Sequence, residues 1–256
     1  MSYLICPVCK KELNMQKNSL QCPNNHSFDF AKEGYVNLLL GSKNGNKTGD
    51  SKDSARARHN FLDKDYYLCL KEYISSKFSG VVLDICCGEG YYDAYSGEFY
   101  GFDISKEMVR LAAKRHKGHN YFAANLAAIP IASNSIDTAI ELFAPFNEKE
   151  IFRVMKPGAK FYYVIGGENH LWEMKQCIYD TPYKNEEKAP KTELLKLVST
   201  NKISRQINIS KNDLKDLFSM TPYFYKTSES DKEKLNTINN LNLTVEFVIF
   251  EYEKQV

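Results

Sequence analysis

No stretch of the 256 residues approaches the roughly 18 uninterrupted apolar residues of a membrane span, so no transmembrane helix is expected. The opening MSYLICPVCK lacks the charged, apolar and small-residue succession of an export signal, which makes a cytoplasmic location the expectation. Seven cysteines are an odd number for a disulfide framework, and without an export signal metal ligation or core packing comes first. A G-x-x-x-x-G-K-[ST] run is also missing, which argues against a cradle for a nucleoside triphosphate. Internal repeats are absent. Nor is there a large excess of one charge, since the net is +2. That total hides an asymmetry: residues 1–64 carry ten Lys and Arg against six Asp and Glu, and the remainder 24 against 26. The front is the basic end, the one suited to a polyanion.

Three blocks follow from composition: a cysteine-bearing segment over residues 1–40, a linker over 41–60 rich in Gly, Lys, Asn and Ser, and an α/β domain over 61–256. In the third block Tyr67, Leu70, Ile74 and Phe78 recur at helical spacing, VVLDI reads as a buried strand, and the glycine-rich turn after it is expected to open a helix. FYGFDI is a second strand, and SKEMVRLAAKR is a helix capped by Ser105. NYFAAN and SIDTAIELF add two strands, EKEIFRVMKPGAK a helix stopped by Pro157 and Gly158, and FYYVIGG a fifth strand. The tail offers NKISRQINIS as a strand, a helix whose Ser210 and Asp213 fit a capping box, and LNLTVEFVIFEYEK as a last strand. Alternating strands and helices predict a mostly parallel sheet covered on both faces.

Cys6, Cys9, Cys22 and His26 stand at C-x2-C-x12-C-x3-H. Two thiolates two residues apart grip one ion from a tight turn, and a second turn bearing Cys and His completes a tetrahedron for zinc. About 40 residues cannot bury enough apolar surface to fold alone, and ligation worth roughly 10 kcal/mol offsets that deficit. Four protein ligands make the expected site closed and structural.

The turn VLDICCGEGYY falls where a doubly wound sheet places its ligand, beyond the carboxyl end of the first strand. Gly88 and Gly90 allow close approach of the backbone, and Asp103 ends the second strand where a carboxylate can take both hydroxyls of a ribose. The pattern D-x-x-x-G-x-G resembles S-adenosylmethionine enzymes more than the nicotinamide fingerprint. Cys86 occupies the place of the first glycine. An ordinary negative φ there would keep its Cβ off the ligand, so weakened but surviving binding is expected.

With these motifs placed, the chain resembles the bacterial 23S rRNA guanine-N1 methyltransferases, the group that includes the tylosin-resistance enzymes. The likeness runs through the zinc spacing, FDFAKEGYVNLLL, GDSKDSARARHNFLDKDYY, GEGYY, DISKEMVRLAAKR, the pair AP followed by RVMKPG, ENHLWEMKQCIYD and MTPYFYK. It implies a Rossmann-like, class I S-adenosylmethionine-dependent methyltransferase domain behind a zinc-ribbon-like module that recognises 23S rRNA, and a homodimer. It also implies that Cys6, Cys9, Cys22 and His26 are the zinc ligands and that Tyr67, Tyr91, Tyr92 and His170 line the adenosylmethionine pocket. Two departures stand out: Cys86 replaces a glycine, and AANLAAIPI carries only Asn125 as a polar candidate beside the adenine.

No catalytic base is singled out, Glu168, His170 and Asp63 being of equal weight. Phe143 and Phe146, flanking Ala144 and Pro145, are equally readable as core or as a stacking surface for a splayed base. Arg56 and Arg58, with Asp50 and Ser51 near them, lie where RNA could thread between modules. Two rivals remain open: a small-molecule methyltransferase with a zinc knob, and a non-catalytic RNA-binding or assembly protein whose donor pocket has decayed through Cys86.

Overall fold

A computed structural model describes residues 3–41 and 52–255. The front module is a three-stranded antiparallel sheet of β1 (Asn14–Met15), β2 (Ser19–Gln21) and β3 (Ser27–Asp29), followed by the short β4 (Val36–Asn37). Asp50 and Ser51 lie outside the described residues. The stretch expected as linker is helical from its first described residue: α1 spans Lys52–Leu62. Its signal was present but faint, because Ser54, Ala55, Ala57, Phe61 and Leu62 fall at i, i+1, i+3, i+7 and i+8 and form one buried stripe.

Next come α2 (Leu68–Ser75), β5 (Val82–Ile85), β6 (Phe99–Asp103), α3 (Lys106–Arg115), β7 (Asn120–Ala123), β8 (Ile136–Leu142), α4 (Glu148–Val154) and β9 (Met155–Gly166). The chain closes with α5 (Trp172–Ile178), β10 (Leu195–Ser210), α6 (Lys211–Ser219), α7 (Glu229–Lys234) and β11 (Asn240–Lys254). The caps read from sequence are in place: Ser105 accepts from the Met108 N–H at 3.4 Å, and Ser210 from the Asp213 N–H at 3.4 Å. Two expectations are corrected. No helix follows the glycine turn directly, for residues 91–97 run in turns and bends up to β6. The helix before Pro157 ends at Val154, and Pro157 with Gly158 begins the strand β9 instead of stopping a helix. Pro lacks the N–H that a helix interior needs, and its ring restricts the residue before it, so α4 gives way early.

One eight-stranded sheet orders these strands β10-β11-β9-β8-β5-β6-β7-β4. The strands from β9 through β4 run parallel, while β11 and β10 pair antiparallel at the other edge. This is the class I methyltransferase α/β fold. The front module supplies its last strand: β4 pairs with β7, Val36 opposite Phe122. Ile5 N–H donates to Pro130 O at 3.0 Å and Ala132 N–H to Tyr3 O at 2.8 Å, which ties the module to the β7–β8 connection. Leu4, Leu13, Leu20 and Val36 share one core with Phe102, Phe122, Ile131 and Phe161. That core and α4 cover one face of the sheet; α2, α3, α5 and α6 cover the other. No helix among the described residues is long and apolar enough to cross a membrane.

Candidate metal centre and donor site

Two turns assemble the metal ligands. Lys10 N–H donates to Cys6 O at 2.8 Å and Asn25 N–H to Cys22 O at 2.9 Å, and Lys10 and Asn25 both adopt positive φ. The ligand atoms of Cys6, Cys9, Cys22 and His26 lie within 4.8 Å of one another. Cys9 Sγ is 3.6 Å from Cys22 Sγ, and His26 Nδ1 is 3.5 Å from Cys6 Sγ and 3.3 Å from Cys22 Sγ. A tetrahedron with zinc–sulfur bonds of about 2.3 Å has edges of about 3.8 Å, so the donor set fits that ion without rearrangement. Burial opposes charge on Cys22, but backbone N–H groups at His26 and Asn24, with the Cys9 and His26 side chains, bring its thiol down to about 6.

The donor turn begins where β5 ends. Cys86 has φ +59°, so the expectation of a negative φ is overturned: the residue adopts the left-handed conformation a glycine would take without strain. Its side chain therefore lines the cleft, a space of about 60 Å³ shared with Asp84, Gly88, Tyr91, Tyr92 and Tyr67. Gly88 (φ +54°) could carry a Cβ without touching anything, which leaves its surface open to that cleft. Gly90 (φ +72°) is turned inward, where a Cβ would meet Asp93 Oδ2 and the Tyr121 hydroxyl at 3.0 Å and Ala112 at 3.1 Å. The first glycine thus faces the cleft and the second packs the turn against α3.

Asp103 braces the turn. Its Oδ2 accepts from the Gly88 N–H at 3.1 Å and its Oδ1 from the Ser105 N–H at 2.8 Å. Beneath lies a buried acidic pair: burial, then neighbouring Asp93, holds the Asp84 carboxyl well above the carboxylate range. Glu89 is buried too, and Arg115 (2.7 Å) and His59 (3.0 Å) pair with it, fastening α1 and α3 to the turn. Tyr91 donates to Asp65 Oδ1 at 3.0 Å and packs edge-on to Tyr92 at 4.9 Å.

Tyr67 and His170 meet on the far side. The Glu246 N–H donates to His170 Nδ1 at 3.1 Å, so in the neutral ring Nε2 carries the hydrogen and donates to the Tyr67 hydroxyl at 3.2 Å. Burial lowers His170 to about 3, which keeps the ring neutral. With both nitrogens engaged, His170 orients Tyr67 and has no lone pair to offer as a base. Of the other two base candidates, Asp63 is held by Arg115 at 2.6 Å, and Glu168 has a 52% exposed side chain near Lys184. Asn125 turns its Oδ1 to the Ala127 N–H at 2.9 Å, capping a short 3-10 turn.

Tyr67 also lines a second, larger cavity of about 710 Å³, together with Arg58, Phe143 and Met220, all four of which border the small cleft as well. The two spaces adjoin. Three features here had no reading in the sequence: the left-handed Phe143, the entry of α1 through Arg58, and Glu141. Glu141 is fully buried on β8 with neither carboxyl oxygen hydrogen-bonded, and burial raises it to about 9. The strand alternation alone marks it as inward, since Ala139 and Glu141 share a face.

Residues 4–43 match the RlmA N-terminal zinc-ribbon family, and residues 82–158 match a methyltransferase domain family. The 23S rRNA (guanine(748)-N(1))-methyltransferase of Streptomyces fradiae is 31% identical over 191 residues, covering 69% of this chain and 68% of that protein. This chain belongs to the RlmA-like 23S rRNA guanine-N1 methyltransferase family. Two further relatives agree. A putative 23S rRNA (guanine-N(1)-)-methyltransferase of Bacillus subtilis, YxjB, is 28% identical, with 69% of each chain covered. Another from Micromonospora griseorubida is 27% identical, over 68% of this chain and 69% of its own. The structure of this methyltransferase thus joins an RlmA-type front module to the sheet edge farthest from β10, with a donor turn at the head of β5.

Proposed function

We propose that the protein methylates N1 of a guanine in a hairpin loop of 23S rRNA, with S-adenosylmethionine as donor and a structural zinc ion held by Cys6, Cys9, Cys22 and His26. The observation that carries this reading is the union of a Cys3His module with the donor sheet through β4, beside a cavity of about 710 Å³ that adjoins the donor cleft.

Bound in the cleft, the donor would supply an activated methyl group on a sulfonium centre: the S–C bond breaks as the N1–C bond forms, the thioether leaves, and the N1 proton passes to solvent. The chain's task is to hold the pieces in line and exclude water. Gly88 gives the backbone surface, Asp103 takes the ribose hydroxyls, and Tyr91 and Tyr92 wall the cleft; Gly90 sets the turn's shape. Tyr67 accepts from His170 and keeps its own hydrogen for a partner in the cleft. Basic groups of the front module and of α1, Arg56 and Arg58 among them, contact phosphate.

Transfer of labelled methyl to undermethylated 23S rRNA, with the base mapped by primer-extension stops, tests the assignment. One stop at a hairpin guanine is expected. Label appearing only in a free metabolite would establish the small-molecule reading, and no transfer would leave an RNA-binding protein.

Cys86 offers a separate check on the cleft. Cys86→Gly removes left-handed strain of about 1 kcal/mol, and the added freedom of the unfolded chain offsets a similar amount. The fold should therefore keep its midpoint, while the vacated thiol volume tightens donor binding by about tenfold, or roughly 1.4 kcal/mol. Titration calorimetry reads this directly. No heat with the native chain and clear binding in the variant would mark the natural cleft as closed.

A further inference from the structure

Phe143 combines three properties that a core aromatic does not. It is 44% exposed, it borders both the donor cleft and the large cavity, and it holds φ +58°. A left-handed conformation is costly for a bulky side chain, and such residues gather at functional sites. The backbone is fixed in that state, since the Phe143 N–H donates to Val164 O at 3.0 Å across to β9. With this backbone the residue lines the cavity and belongs to none of the buried core clusters among the described residues. Among the described residues the aromatic ring nearest it is Phe247, at 5.9 Å and tilted by 57°, which leaves ring surface uncovered. Phe247 is itself packed against Tyr67 at 4.9 Å and His170 at 5.0 Å, so the mount is rigid. Phe146 makes the contrast: it borders the large cavity but not the donor cleft, and its ring is half-buried, stacked on Phe161 and edge-on to Tyr163 against the core.

Resting on the proposed reaction, we propose that Phe143 is the platform on which the target guanine, swung out of its RNA loop, stacks beside the donor cleft. The cavity is within the range of about 300–1,000 Å³ that takes a small aromatic ligand. Met220, Pro222 and Tyr223, from the connection after α6, line the same cavity. Stacking tolerates any flat ring, so Phe143 positions the base while other groups select guanine.

The test uses the full chain and a 23S rRNA hairpin. Phe143→Ala should lower kcat by about 30-fold, the middle of the roughly 5- to 150-fold that stacking a base on an aromatic is worth. Phe143→Trp should stay within about fivefold of the native kcat, because it restores a flat surface. Phe143→Gly, which relieves the backbone, should fold at least as well as Phe143→Ala and be equally slow. A fluorescent purine at the target position should brighten and then quench on binding to the native chain, and brighten without quenching with Phe143→Ala. Native-like kcat in Phe143→Ala, or equal losses in the alanine and tryptophan variants, would overturn the platform while the methylation assignment survives. A native chain that methylates no rRNA would overturn both.

Discussion

Replacing Cys22 with serine is expected to strip the metal from the front module and to remove rRNA methylation almost entirely. Ligation supplies roughly 10 kcal/mol or more to a segment too short to hold itself together by apolar burial. Cys22 Sγ stands 3.3 Å from His26 Nδ1 and 3.6 Å from Cys9 Sγ, so its loss opens the tetrahedron from two sides. The damage does not stop at the module. Leu4, Leu13, Leu20 and Val36 complete a core that includes Phe102, Phe122 and Ile131, and β4 caps the edge of β7. The variant should therefore bind no zinc by elemental analysis, unfold at lower urea, and lose at least about 100-fold in rRNA methylation as phosphate contacts go. Donor titration separates causes, since the donor turn lies on β5, two strands in from β7. A variant that keeps native rRNA methylation without zinc would refute the structural role of the ion.

Glu141→Gln is expected to stabilise the protein above neutral pH. The native carboxyl binds its proton more tightly than the unfolded chain does, its value rising from 4.5 to about 9 through burial alone. Stability from this group is fully present below the unfolded value and drains away as pH climbs toward 9, because folding must then either bury a charge or take up a proton that the unfolded chain has already given up. Neither oxygen has a hydrogen-bond partner to soften the loss. Glutamine matches the shape of the protonated acid and never ionises. Urea unfolding at pH 5 and pH 8 should show little difference at the first and a gain on the order of 3 kcal/mol for the variant at the second. Parallel pH profiles for the two proteins would show that Glu141 ionises freely in the fold. Methylation assayed on the same samples would show what activity this buried acid supports beside Cys86 and Tyr163, both raised in pKa first by burial and further by Glu141 once it ionises.

The sequence was most informative where chemistry depends on spacing along the chain. C-x2-C-x12-C-x3-H can place four ligands around one ion only through two short turns, and those turns are present. Ser105 and Ser210 capped the helices they announced, because a cap bond closes over three residues. The order of strands and helices led to the sheet for the same local reason. Local reading failed at Cys86, whose positive φ it did not anticipate, and it assigned no backbone conformation to Phe143, whose N–H is tied to Val164 O on β9. It failed again at the linker, where α1 is held by Glu89 and by packing on the domain, both remote in sequence.

Residue spacing by itself therefore determined the Cys3His cluster, the glycine turn after β5 and most of the strand order, since each rests on bonds between residues a few positions apart. Tertiary structure alone decided that β4 joins the sheet, that His170 is locked neutral behind Tyr67, that Gly90 faces inward, and that a strained Phe143 stands between two cavities. Those outcomes follow from burial and hydrogen bonds between segments as far apart as 103 residues in the case of Tyr67 and His170, a distance over which sequence pattern carries no orientation.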